Sequence, residues 1–380
     1  MNRALVAAFT AAALFQTAGG AGAQGATEGE MELRGVYMEL HNNRAFGVYP
    51  VLEGGDWRKL FRKLKGHGFN AVFPNVLSPS GACYPSKVVP TWSRGRMLGK
   101  ADLLKELVAA AHAEGLEIHP WTIEWYKAGR VDKGRLVHDA KGKTHHTLCP
   151  SVEANRKLMR EMILELVRNY DVDGVQYDYM RLPGKQYCYC RHCREGFERQ
   201  TGRRVGDWPK DIVAGGKLAT QYDAYLCGRL SAFIEETYPL IKKVKPEVVV
   251  SAAVWVAGRD GKRPGNPGVR QDWGRWVEKG KLDFIAPMVY GNKWIVERFD
   301  EFARAQAKHV VGKMPLVYGL GAYQDTAASE VKSVRAARKL GGSGFIMYTL
   351  TEKTLRDIVP VLEREVWSKP AKVPAFGRKR

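Results

Sequence analysis

Three groups of residues in this chain could do chemistry. The first lies in the run Asp171 to Cys193, D-V-D-G-V-Q-Y-D-Y-M-R-L-P-G-K-Q-Y-C-Y-C-R-H-C. Val172, Val175 and Tyr177 give it the bulk of a strand. Asp178, Tyr179 and Arg181 stand where that strand must stop, just before the breaker Pro183-Gly184. A carboxylate there is a candidate acid, base or nucleophile; the plainer alternative is an ion pair between Asp178 and Arg181. The second group is spread over other strand ends: Glu39 and His41, Asn75, His119 and Trp121 with Glu124 just beyond, then Trp255, Tyr290, Tyr318 and Tyr348. Aromatic faces stack on the C–H faces of sugar rings, amides and acids bond hydroxyls, and a carboxylate pair can break a glycosidic bond. Glu39 is the more suggestive of the remaining acids, because an inward strand-end carboxylate is costly unless paired or used.

The third group is C-x-C-x-x-C, formed by Cys188, Cys190 and Cys193. That spacing brings three thiols to one point, and tetrahedral zinc asks for a fourth ligand. Cys149 is the natural choice, because the helix after it leads straight to the Asp178 strand; His145, His146 and His192 are fallbacks. Four thiolates leave no open position for water, so the metal would be structural. A disulfide from Cys149 to one of the three is the alternative in an exported protein. Cys83 and Cys227 read as free, or as a minor disulfide. No organic cofactor motif is evident, and no G-x-G-x-x-G follows the first strand.

The positions of these residues depend on the elements that carry them. Strands are expected over 34–39, 68–74, 116–122, 174–178, 248–254, 283–290, 314–319 and 344–349. Helices are expected over 56–66, 102–114, 151–170, 218–245, 272–278, 299–309, 326–340 and 355–366, with Ser151 capping the third. Eight strands alternating with helices predict a (β/α)8 TIM barrel of class α/β, one domain over 32–367 with an insertion after the fourth strand. In such barrels the C-terminal strand ends build the active site, so side-chain alternation puts Glu39, Asp178 and Tyr290 at one mouth. The segment 368–380, rich in Pro, Lys and Arg, reads as a disordered tail.

The chain of 380 residues carries 60 Lys and Arg against 40 Asp and Glu, a formal net charge of +20. That excess bears on partners, not fold. Nucleic acid, an anionic polysaccharide or an envelope surface would each suit it. The amino-terminal run narrows the choice. Met1-Asn2-Arg3 is basic, Ala4 to Phe15 is almost wholly apolar, and Ala21-Gly22-Ala23 is a small-x-small site before Gln24. This reads as a bacterial signal peptide over 1–23 followed by a linker over 24–31. The apolar run falls short of the roughly 18 residues that span a bilayer. The expectation is an exported protein, periplasmic or extracellular, with no integral membrane span after signal removal. Its expected partner is a carbohydrate and not nucleic acid.

Asp173-Gly-Val-Gln-Tyr-Asp-Tyr-Met-Arg-Leu-Pro183, preceded by Cys149-Pro-Ser, resembles the family-10-like bacterial glycosyl hydrolases. Arg34-Gly-Val-Tyr-Met-Glu, Gly68-Phe-Asn-Ala-Val-Phe, Gly115-Leu-Glu-Ile-His-Pro-Trp, Asp283-Phe-Ile-Ala-Pro-Met-Val-Tyr and Gly344-Phe-Ile-Met-Tyr fit the same pattern. The resemblance implies a TIM barrel acting on glycosidic bonds, in some members those of envelope glycans, with Asp178 in the place of the acid after the fourth strand. The cysteine pattern is similar to the four-cysteine zinc site of the family 42 β-galactosidases. The chain departs from better-known glycosidases in having no Asn-Glu pair after the fourth strand and no acid ending the sixth to eighth. The second carboxylate therefore stays open between Glu124 and Glu39, and a non-catalytic carbohydrate-binding barrel is the rival.

Overall fold

The computed structural model describes residues 31–40, 56–79, 81–92, 102–126, 129–257 and 262–378. The expected signal peptide, all of the linker but Met31, and His41 lie outside them. Eight strands form the wall: β1 Leu33–Met38, β2 Ala71–Ser78, β3 in two pieces Glu117–Ile118 and Trp121–Ile123, β4 Gly174–Asp178, β5 Val249–Trp255, β6 Phe284–Met288, β7 Val317–Leu320 and β8 Gly344–Met347. Each pairs with the next in parallel, and β1 pairs with both β2 and β8. The sheet is therefore a closed (β/α)8 barrel with no free edge.

The helices are α1 Trp57–Gly66, α2 Leu103–Ala113, α3 Glu153–Asn169, α4 Arg191–Thr201, α5 Ala219–Val244, α6 Trp273–Lys279, α7 Lys293–Glu297, α8 Phe299–Val310, α9 Ala327–Lys339 and α10 Val359–Glu365. Asp56 starts α1 by accepting from Lys59 N at 3.1 Å, and Asp102 starts α2 by accepting from Lys105 N at 3.0 Å. Ser151 does not cap α3. Val152 holds that position, and Ser151 Oγ instead meets the Tyr225 hydroxyl at 3.0 Å. The insertion after β4 carries α4 and leads into α5, the longest helix described. Among the described residues no helix is long and apolar enough to cross a membrane.

Alternation along the strands separates two cores. Val36, Val72, Tyr177 and Val250 face the helices, whereas Tyr37, Phe73, Trp121, Ala286 and Ile346 fill the barrel. The strand pieces of β3 flank His119-Pro120, where proline has no N–H to give to the ladder. His119 is fully buried there, stacked on Phe73 at 4.9 Å and bonded to Glu117 at 2.9 Å. Gly174 makes room for it, since a Cβ at that position would lie 2.1 Å from the His119 ring.

The tail corrects the expectation of disorder for residues 368–378. Lys372 pairs with Met31, Phe376 enters the inner core against Phe284 at 4.7 Å, and Arg378 grips Glu117 with two bonds of 2.6 and 2.7 Å. Basic composition suggested a solvated segment. Phe376 and the Arg378–Glu117 pair, with bonds from Arg34 to Lys369 O, Asn70 to Ala371 O and Glu32 N to Lys372 O, hold it across the N-terminal end of the barrel.

Candidate active site

The opposite, C-terminal end of the barrel opens into a cavity of about 630 Å³. Three acids line it: Glu39 follows β1, Glu124 follows β3 and Asp178 ends β4. The β3 and β4 acids are neighbours along the wall. Ile123 lies opposite Asp178 in register, and Glu124 N donates to Asp178 O at 3.0 Å. Each is followed by a residue in the left-handed region, Trp125 at φ 62° and Tyr179 at φ 55°. Such backbone is uncommon outside glycine and clusters at functional sites.

The three acids have different surroundings. Asp178 Oδ1 accepts from Tyr179 N at 2.6 Å and from Arg181 at 3.2 Å. Burial raises its pKa, while the Arg181 charge and the Tyr179 N–H pull it back toward the ionised form. Glu124 is wholly buried. Burial lifts its pKa to about 8; the bond from the Thr122 hydroxyl offsets this only in part, and the Asp178 charge adds to the rise. Glu124 Oε2 has no hydrogen-bond partner among the described residues, and neither does Trp121 Nε1, another group lining the cavity. Glu39 accepts from the Tyr348 hydroxyl at 2.6 Å. Below the acids, Tyr37 donates to Gln176 at 2.6 Å and Gln176 to Ser251 at 3.2 Å, a rigid floor under Asp178.

Aromatic groups wall the cavity. Tyr290 and Tyr348 stack in parallel at 5.2 Å, with Tyr323 edge-on to Tyr348. Across from them, the Arg181 guanidinium lies 4.1 Å from the Tyr179 ring centre and 5.1 Å from that of Trp255. Tyr126 meets Tyr179 at 5.3 Å and His145 at 6.4 Å.

Of the sequence candidates, Glu39, Glu124, Asp178, Trp121, Tyr179, Arg181, Trp255, Tyr290 and Tyr348 share this cavity. Three do not line it. Tyr318 lies on the outward series of β7 and donates to Ala303 O of α8 at 3.2 Å. His119 sits too deep in the barrel, beside Glu117. Asn75 is buried on the inward series of β2 without reaching the opening. Residues missed were Tyr126, Tyr323, Thr147 and His145; the last had been considered only as a metal ligand. His145 and Thr147 arrive on a hairpin, Leu136–His138 with Thr144–Leu148, that folds back over the mouth. Its polar sequence carried no apolar alternation to reveal it.

The same hairpin ends at Cys149. Cys149, Cys188, Cys190 and Cys193 are buried, and their sulfurs all lie within 4.8 Å of one another. Cys149 Sγ is 3.5 Å from that of Cys190 and 3.4 Å from that of Cys193. These separations are too long for a disulfide and suit four thiolates around one tetrahedral zinc, with Zn–S of about 2.3 Å. None of the six cysteines is in a disulfide, Cys83 and Cys227 included. None of His145, His146 and His192 belongs to the cluster.

The closed parallel barrel is a TIM barrel, and its mouth gathers three acids and several aromatic rings. The chain belongs to the glycosyl hydrolase-like 10 family, matched over residues 32–334. Glycosyl hydrolase DigH of Escherichia coli is 27% identical over 258 residues, 59% of this chain and 55% of that protein. Glycosyl hydrolase YngK of Bacillus subtilis is 24% identical over 405 residues, 91% of this chain and 74% of that one. The chain thus spans about half the length of the DigH relatives. In fold it is similar to the PgaB (BpsB) glycoside hydrolase domain from Bordetella bronchiseptica, with a TM-score of 0.68 at 14% identity over 88% of this chain and 99% of that one.

Proposed function

We propose that the protein hydrolyses glycosidic bonds of a poly- or oligosaccharide with Glu124 as general acid and Asp178 as its charged partner. The carrying observation is the contrast between two neighbouring carboxyls in one cavity. Burial pushes the Glu124 pKa up to about 8, which favours its protonated form near neutrality. Asp178 has a guanidinium and a backbone N–H to hold its charge. Glu124 gives its proton to the glycosidic oxygen as the bond to the anomeric carbon breaks. Asp178 faces the positive charge developing on the sugar, as nucleophile or as base for water. Carboxyl oxygens about 5–5.5 Å apart would give retention and about 6.5–9.5 Å inversion, which the anomer of the first product reads out. Glu39, tied to Tyr348, holds a sugar hydroxyl.

The four cysteines carry a structural zinc in this proposal. Bound there, it braces the hairpin with His145 and Thr147 against the insertion after β4, and it takes no part in bond cleavage. The leader-like run at 1–23 supports export to the periplasm or beyond, and the basic excess supports an acidic or envelope glycan. The test is a hydrolysis screen on glycans and peptidoglycan, scored by new reducing ends, with Asp178→Asn and Glu124→Gln beside the wild type. Full turnover in either variant rejects its assigned role. Binding without cleavage would make the protein a carbohydrate-binding barrel.

A further inference from the structure

Among the described residues three large apolar side chains are exposed: Leu240, Trp255 and Trp294, at 37, 41 and 47%. Leu240 lies on α5, in the outer layer. The two tryptophans lie on consecutive βα segments at the mouth. Trp255 ends β5 opposite Met288 of β6, and Met288 lines the cavity. Trp294 lies in α7 between Asn292 and Ile295, which also line it. Its ring is held edge-on by Phe302 at 5.2 Å, and the Arg298 guanidinium lies 5.3 Å from its centre. Trp255 carries Arg181 in the same way at 5.1 Å.

Single exposed apolar residues are ordinary. Two tryptophans on adjacent rim segments, each with a guanidinium at the ring, are not a random scatter. Packing against Phe302 orients the Trp294 ring before any ligand arrives, which lowers the entropy lost on binding. A substrate confined to the cavity would not use it.

We propose that Trp294 is an outer sugar platform for a glycan chain that leaves the cavity past Trp255 and runs over the β5–β6 rim. A sugar ring stacks on the indole, and Arg298 donates to a hydroxyl or carboxylate of the same chain. The inference rests on reading the cavity as a glycan-cleaving site, and it makes the substrate a polymer longer than the cavity.

The test uses the full chain in the Asp178→Asn background, so that nothing is cleaved. Gel retardation is measured in glycol chitin, mixed-linkage β-glucan, polygalacturonate and soluble peptidoglycan. At least one polymer should retard the protein, and Trp294→Ala should weaken that retardation about five- to tenfold, the worth of one aromatic stacking contact. Trp294→Phe keeps the ring against Phe302 and should fall between the two, which leaves a readable variant should the alanine protein unfold. Retardation by none of the four, or retardation that both substitutions leave unchanged, overturns the platform. Hydrolysis by the Asp178-containing protein is scored separately. Retardation sensitive to Trp294 without any hydrolysis would sink the catalytic reading and leave the platform standing. Hydrolysis with Trp294-insensitive retardation would do the reverse.

Discussion

Two glutamates seven positions apart, one opening the broken strand β3 and the other just after it, meet opposite fates. Glu117, at the closed end, receives two bonds from Arg378 and one from His119. Burial opposes its ionisation, but those bonds outweigh burial and hold its pKa at about 2. Glu124, at the open end, has only the Thr122 hydroxyl against complete burial, and its pKa rises to about 8. The closed end pairs its carboxylate with Arg378 and His119, although His119 Nδ1 and Arg378 Nε have no hydrogen-bond partner among the described residues. The open end leaves an acid, an indole N–H and several ring faces without such satisfaction. The carboxyl is held ionised in the first place and pushed toward its neutral form in the second, and perturbed carboxyls in a cavity mark candidate working sites.

The contrast can be broken most sharply by activity. Glu124→Gln should lower kcat/KM about 10²–10⁴-fold, the contribution of a general acid, measured by reducing-end release. Glu117→Gln, so near in sequence, should leave kcat/KM within a small factor under conditions where the protein stays folded. Equal losses would mean that both glutamates act through folding alone.

The next effects concern what braces each end. Cys149→Ser should abolish the zinc content read by elemental analysis, expected at one ion per wild-type chain, and lower Tm strongly, because structural zinc contributes folding energy directly. A folded wild-type chain that binds no zinc when zinc is supplied would remove the clip from this account. At the closed end, Phe376→Ala should cost about 3 kcal/mol in urea unfolding, the usual value for emptying a buried aromatic site. No change there would mean that the tail is ornament to the fold.

Much of this was legible in the sequence, for identifiable reasons. Regular alternation of apolar strand and amphipathic helix gave the barrel. Asp178 stood out because a strand, an acid and a Pro-Gly breaker follow one another within a few residues. The cysteine spacing gave three thiols, and helix direction gave the fourth. Tyr318 went wrong by one step of parity, since Val317 and Gly319 point inward and Tyr318 must point out. His119 went wrong by depth: it lies on the inward series of β3, but level with Phe73 and not with the mouth. His145 and Tyr126 were not legible, because their contact depends on a polar hairpin folding back over the barrel. The tail was misjudged because charge composition masks the effect of one well-placed phenylalanine.

A quieter test of the comparison lies in how stability varies with pH. Glu124 has a folded pKa above the ordinary carboxyl value. Below about pH 4.5 it is protonated in both folded and unfolded chains and has no effect. As pH rises toward 8 the unfolded chain ionises while the folded one does not, so the folded state loses ground. Glu124→Gln should therefore raise Tm by a few degrees at pH 7.5 and by nothing at pH 4. An unchanged Tm at both values would mean that the carboxyl is already ionised and cannot be the acid.

Glu117 has the opposite sign, and Arg378→Ala reads it with the smallest expected effect. Its folded pKa, about 2, lies below the unfolded value. The stabilisation is complete above about pH 4.5 and is lost as pH falls toward 2, where the folded carboxylate takes up its proton. Removing Arg378 should cost about 1–2 kcal/mol near neutrality, the range for a charge-assisted pair. The gap between wild type and variant should stay level from pH 7 to 5 and narrow progressively as pH falls from about 4 toward 2. A gap undiminished when the pH has fallen to about 2 would show that Arg378 acts through packing of the tail on Glu117 and not through its charge, and the two ends of β3 would then differ in solvent access alone.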